Sequence, residues 1–141
     1  MANASTTFEV NAPIEKVYQA ISDFKCYPEF ISGTKKVTIL EQEGSLLKVA
    51  FEVEAIKTIR YSLEVNLIPQ KGFSWKLIKG DFMKSNEGSW ELRKIDKQKT
   101  EAIYHIEVKF GFLVPASAGQ LLVSKHLPKM LDEFKQRAES L

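Results

Sequence analysis

A single cysteine, Cys26, stands in the 141 residues of the chain. One thiol closes no internal disulfide and builds no thiolate metal cluster. Histidine is nearly as scarce. His105 and His126 lie far apart, with no obvious carboxylate partner, so no metal site is expected. No apolar run approaches the roughly 18 residues of a membrane span. The start, Met1-Ala2-Asn3-Ala4-Ser5, lacks the charged-then-apolar pattern of a secretory leader, so a cytoplasmic location is expected. Gly-x-Ser-x-Gly, His-Glu-x-x-His, phosphate-loop and dinucleotide motifs are missing, so no catalytic residue and no cofactor is expected. Twenty basic residues against eighteen acidic ones leave a net charge of +2, too balanced to imply a nucleic-acid partner.

What is present is hydrophobic patterning. With 44% apolar and 11% aromatic residues, the chain is expected to form one domain, 1–141, with a real core. The last stretch, 115–141, has helical periodicity. Val123, Leu127, Met130, Leu131, Phe134 and Ala138 recur at spacings of three and four and share a face. A helix of roughly 25 residues is about 37 Å long, and its stripe needs a partner surface of that length. Pro128 interrupts it: without an N–H it leaves the Ser124 carbonyl unpaired and crowds it, which predicts a kink.

The partner surface is a sheet. Phe8 and Val10 alternate in a short strand over 6–10. Pro13 opens a helix with Ile14, Val17, Tyr18 and Ile21 on its buried face. Tyr27-Pro28-Glu29-Phe30 forms a second short helix, which Ser32-Gly33 ends. From Thr34 the period changes to two. Val37 and Ile39 alternate with polar neighbours; so do Leu47 to Ala55, Ile59 to Leu67, Phe73 to Leu77, Gly88 to Leu92 and Tyr104 to Phe110. These are six consecutive strands in an antiparallel meander, each with one apolar face. The fold class is therefore α+β.

The order is strand, two short helices, six strands and a long helix. With Asn11-Ala12-Pro13-Ile14-Glu15-Lys16-Val17-Tyr18, Ser22-Asp23, Tyr27-Pro28-Glu29-Phe30 and Gly88-Ser89-Trp90-Glu91-Leu92, it resembles the helix-grip fold of the START-like (SRPBCC) superfamily. Within it the chain looks most like the polyketide cyclase/dehydrase branch, which includes the Coq10 and RatA type proteins. The resemblance implies a seven-stranded antiparallel sheet wrapped around the C-terminal helix, with a cavity between them for a lipid, quinone-like or polyketide-like molecule. It also implies two alternatives: an aromatase/cyclase-like enzyme, or a ribosome- or protein-interaction domain.

Alternation nominates the cavity lining as Phe51, Tyr61, Leu63, Trp75, Trp90, Tyr104, Ile106, Val108, Val123, Leu127 and Met130. Tyrosine hydroxyls and indole N–H groups are the polar atoms among them, and they would orient a mostly apolar ligand. Arg60, Arg93 and His105 fall on the outer face, and His126 lies at the edge of the helical stripe. Alternate links of a meander share one end. The link at Ile56-Lys57, a loop over 80–87 and the link over 111–116 therefore gather there. They bring Ile56, Phe82, Met83, Phe112, Leu113 and Val114 together as an entrance, with transient membrane contact expected there.

Overall fold

The computed structural model describes residues 2–54 and 57–141. Ala55, expected to end its strand, and Ile56, expected at the entrance, lie outside the described residues. The elements are β1 (Ala2–Val10), α1 (Ile14–Ser22), a 3₁₀ turn (Phe24–Cys26), α2 (Tyr27–Phe30), β2 (Thr34–Glu43), β3 (Leu46–Glu54), β4 (Thr58–Ile68), β5 (Gly72–Gly80), β6 (Met83–Asp96) and β7 (Lys99–Phe110). A terminal helical stretch follows, made of α3 (Ala116–Leu121), a π turn (Leu122–His126) and α4 (Leu127–Ser140). The strands form one sheet in the order β1-β7-β6-β5-β4-β3-β2, with every neighbouring pair antiparallel.

The core lies between the inner face of this sheet and α4. Alternation delivers Val49, Phe51, Leu63, Val65, Phe73, Trp75, Trp90, Tyr104, Ile106 and Val108 to that face, and α4 adds Leu127, Leu131, Phe134 and Ala138. Burying an apolar side chain of this size contributes about 1.5–3 kcal/mol, so the register that points all of them inward is strongly selected. Trp75 lies across Gly88. A Cβ there would stand 2.5 Å from the indole ring and 2.2 Å from the His105 carbonyl oxygen. Only glycine lets the ring lie against the sheet at this point.

Three features differ from the sequence expectation. First, β1 starts at Ala2 rather than Thr6, pairing with β7 from Ala2↔Val108 to Val10↔Thr100. Its first half is small and polar, which hid it. Second, the expected loop over 80–87 is strand, with only Asp81 and Phe82 linking β5 to β6. The two strands pair with each other only over Gly72–Lys76 and Glu87–Glu91. Beyond that they separate: Lys79 and Gly80 pair with β4, and Met83 and Ser85 pair with β7. Each end is laddered on one side alone, which explains its mixed composition. Third, the terminal helix is interrupted. The Leu127 N–H bonds to the Leu122 carbonyl, five residues back, just before Pro128. Proline cannot supply the next backbone donor, and the wider π turn absorbs the mismatch.

Candidate functional site

A cavity of about 280 Å³ lies between the inner sheet face and the terminal helix, just under the roughly 300–1,000 Å³ typical of small-ligand pockets. Of the nominated lining residues, Phe51, Tyr61, Leu63, Trp75, Trp90, Tyr104, Ile106, Val108, Leu127 and Met130 border it. Val123 does not. It faces a separate groove with Ala4, Thr6, Phe8 and Pro128, while its neighbour Leu122 borders the cavity. The extra residue in the π turn shifts the stripe by one position, which period counting over a regular helix misses.

Residues not nominated also border it: Phe24 and Tyr27 ahead of the sheet, Val53, Ile59, Val65, Phe73 and Phe110 on inner strand positions, Asn86, and Phe134 on α4. Most of the strand residues had a readable signal, since they follow the alternation already traced. Asn86 shares the parity of Gly88 and Trp90, and was hidden by the loop assignment.

The walls interlock through their rings. Phe51 stacks on Tyr61 at 5.1 Å, Trp90 meets Tyr104 edge-on at 4.9 Å, and Phe134 meets Trp90 at 5.4 Å and Tyr27 at 5.1 Å. Such pairs add about 0.5–1.5 kcal/mol beyond burial and hold the walls in place. Three of the polar groups in the wall are satisfied internally. The Trp75 indole N–H donates to Asn86 Oδ1 at 3.0 Å, tying β5 to β6 where their backbones separate. The Tyr27 hydroxyl donates to the Ile21 carbonyl. Asp81 Oδ2 accepts the Arg60 backbone N–H at 3.0 Å.

Tyr61 and Tyr104 differ. Neither hydroxyl has a hydrogen-bond partner among the described residues, and both residues line the cavity. Burial pushes the Tyr61 phenol up to about 12. Burial, then the neighbouring Tyr61, pushes Tyr104 higher still. Both stay protonated around neutral pH and act as donors. Among the described residues, no Lys, Arg, His, Cys or Ser borders the cavity, and Asp81 is the one carboxylate that does. The arrangement can hold and orient an apolar molecule.

Residues outside the cavity have other partners. Arg60 pairs with Glu52 at 3.0 Å and Arg93 with Glu91 at 3.2 Å, both at the surface. His105 Nδ1 lies 2.6 Å from the Ser5 hydroxyl on the outer face, and His126 is exposed. The Cys26 thiol donates to Asp23 at 3.1 Å. That bond first, then burial and Glu29, pushes its pKa up to about 11, so it stays an unreactive thiol. Among the described residues, no cluster of three or more metal-ligating side chains occurs, and no helix is long and apolar enough to cross a membrane.

Of the residues expected at the entrance, Phe82 and Met83 border the cavity, with Asp81, and Asp81 and Phe82 are exposed. Phe82 has φ +63°, an uncommon conformation for an aromatic residue. Lys57 Nζ sits 4.1 Å from the centre of its ring, and its carbonyl accepts the Gly111 N–H at 2.9 Å. The three links therefore do gather at one end. Phe112, Leu113 and Val114 stand outside the lining. Phe112 is 88% exposed and Leu113 77%, while Val114 is half-buried. They follow the end of β7, past its last residue on the cavity.

One curved sheet gripping a terminal helix over an aromatic-walled cavity is the architecture of START-like proteins. The chain belongs to the family described as polyketide cyclase / dehydrase and lipid transport, whose profile matches residues 10–135. Among solved structures it is similar to a START superfamily protein from Mycobacterium smegmatis (TM-score 0.87, 20% identity, covering 99% of each chain). It is also similar to the Zhui aromatase/cyclase from Streptomyces sp. R1128 (TM-score 0.85, 17% identity, covering 97% of this chain and 93% of that one). Among curated proteins it is 25% identical over 131 residues to the ribosome association toxin RatA of Pseudomonas aeruginosa, covering 92% of this chain and 90% of the relative.

Proposed function

We propose that the chain binds and carries a small hydrophobic molecule, of lipid, quinone-like or polyketide-like character, between the sheet and the terminal helix, without transforming it. The observation that carries this reading is the void of about 280 Å³ walled almost wholly by apolar and aromatic side chains. Interiors packed to normal density leave few spaces larger than a water molecule, so a space of this size has a use. Access runs past Phe82 and Met83, with Phe112 and Leu113 as the apolar rim that meets a membrane in passing. The opposite end carries the polar turns at Gly44-Ser45, Pro69-Gln70-Lys71 and Lys97-Gln98, which offer an apolar molecule nothing. Native mass spectrometry of the protein purified from its own host tests this. An adduct of lipid-like mass is expected, and it should vanish on unfolding.

A second reading has its own support in the full-length similarity to RatA: association with ribosomes. It predicts a bare protein mass together with co-sedimentation with ribosomes, which is the outcome that displaces the first reading. The aromatase/cyclase reading rests on the family's description and on fold similarity, with no group in the cavity that singles it out.

A further inference from the structure

The polar atoms left open in the cavity specify the charge of what it holds. Tyr61 projects from β4 and Tyr104 from β7, strands separated by β5 and β6, and both hydroxyls lack partners among the described residues. Each has a donor to give. Among the described residues, no lysine, arginine or histidine borders the space, so the lining offers nothing to neutralise an anion. The one carboxylate among the described lining residues, Asp81, repels one. An ionised group buried without a counter-charge is heavily penalised, whereas a carbonyl that accepts a hydrogen bond is not.

We propose that the cavity selects an uncharged, compact apolar ligand bearing a carbonyl or ether oxygen that accepts from Tyr61 or Tyr104, and rejects the matching carboxylate. This rests on the ligand-binding reading above and narrows it: free fatty acids and other organic anions are excluded, and neutral ketones, quinones and esters are admitted. One cation competes with this assignment. Lys57 lies over the outer side of Phe82, 4.1 Å from the ring centre, and could hold a carboxylate at the mouth with its apolar part inside.

A matched series separates the possibilities: 2-acetylnaphthalene, 2-naphthoate and 2-ethylnaphthalene share one ring system and differ in the group it bears. Affinity is read by tryptophan fluorescence at pH 7, where the carboxylate is fully ionised. The ketone is expected to bind at least about tenfold more tightly than the carboxylate. The Tyr61→Phe/Tyr104→Phe double variant should lose roughly tenfold in ketone affinity and keep its affinity for the ethyl compound, which also shows that its pocket is intact. If the carboxylate binds as tightly as the ketone and loses affinity in Lys57→Ala, the charge assignment is overturned while cavity binding stands. An unchanged ketone affinity in the double variant overturns the role of the hydroxyls. If no member of the series binds, both this proposal and the binding reading beneath it fail.

Discussion

The two halves of the terminal helix are consecutive in sequence and opposite in attachment. The distal half, Leu127–Ser140, buries Leu127, Leu131, Phe134 and Ala138 and is tied down along its polar side. Glu133 accepts the Ser32 backbone N–H at 3.2 Å, Glu139 accepts the Asn11 N–H at 2.8 Å, Lys135 donates to the Glu9 carbonyl at 3.0 Å, and Arg137 pairs with Glu29 at 3.3 Å over the Phe30 ring. The proximal half, 116–126, buries only Gly119 and makes no side-chain hydrogen bond among the described residues. Anchored and lightly held segments differ in the free energy of local opening. On this reading the distal half fixes the cavity wall, and the proximal half, bounded by the π turn, is the part that opens more readily.

The largest expected effect comes from cutting the anchor. Phe134→Ala removes a ring packed against Tyr27, Phe30 and Trp90 and should cost about 3–5 kcal/mol, read as a fall in denaturation midpoint. Leu121→Ser in the proximal half should change stability by no more than about 0.5 kcal/mol. Equal losses from the two would abolish the contrast. Glu133→Ala is next. It strips acceptors from the Ser32 N–H and hydroxyl at a surface site and should cost about 1 kcal/mol.

These contrasts were only partly visible in the sequence. The strand faces were, because period-two alternation from Val49 to Val108 follows directly from burying one side of a sheet. The distal stripe was visible for the same reason. The proximal half was misread because Pro128 announces a disturbance but not its form: a kink and a π turn place Val123 and Leu122 differently. The tethers were invisible, since Glu133, Lys135 and Glu139 look like ordinary solvated charges until the fold brings Ser32, Glu9 and Asn11 beside them. The hydroxyls of Tyr61 and Tyr104 are legible in the sequence as polar atoms of the lining. That no described residue pairs with them is a tertiary fact.

Acid sharpens the comparison. The Glu139 carboxyl is held below its ordinary value mainly by the Asn11 N–H, with burial opposing and Lys135 assisting. A carboxyl lowered in the folded state stabilises it above the unfolded pKa, and that stability drains away as pH falls through the folded value. Glu139→Gln should therefore melt below the native protein at pH 7. The gap should close as pH falls from about 5 to below the folded value, in thermal melts at stepped pH. A gap constant with pH would remove Glu139 from the anchor.

The smallest stability effect, with the clearest effect on rate, belongs at the mouth. Phe82→Gly relieves a left-handed backbone worth roughly 1–2 kcal/mol but forfeits the Lys57 contact, about 0.5–1 kcal/mol at an exposed site, and leaves the chain freer when unfolded. The ring is 37% exposed, so losing its buried part adds a cost, and the melting temperature should fall slightly while uptake of 2-acetylnaphthalene, followed by stopped-flow tryptophan fluorescence, speeds up. A stability loss with unchanged uptake would make Phe82 a plug rather than a gate.

Amide hydrogen exchange, followed peptide by peptide with and without saturating 2-acetylnaphthalene, tests the central claim most directly. The account predicts fast exchange over 117–126 and slow exchange over 129–139 in the free protein. It predicts at least roughly tenfold slowing of the proximal segment alone when the cavity is filled. Uniform exchange along both halves, or a proximal segment indifferent to the ligand, would contradict it.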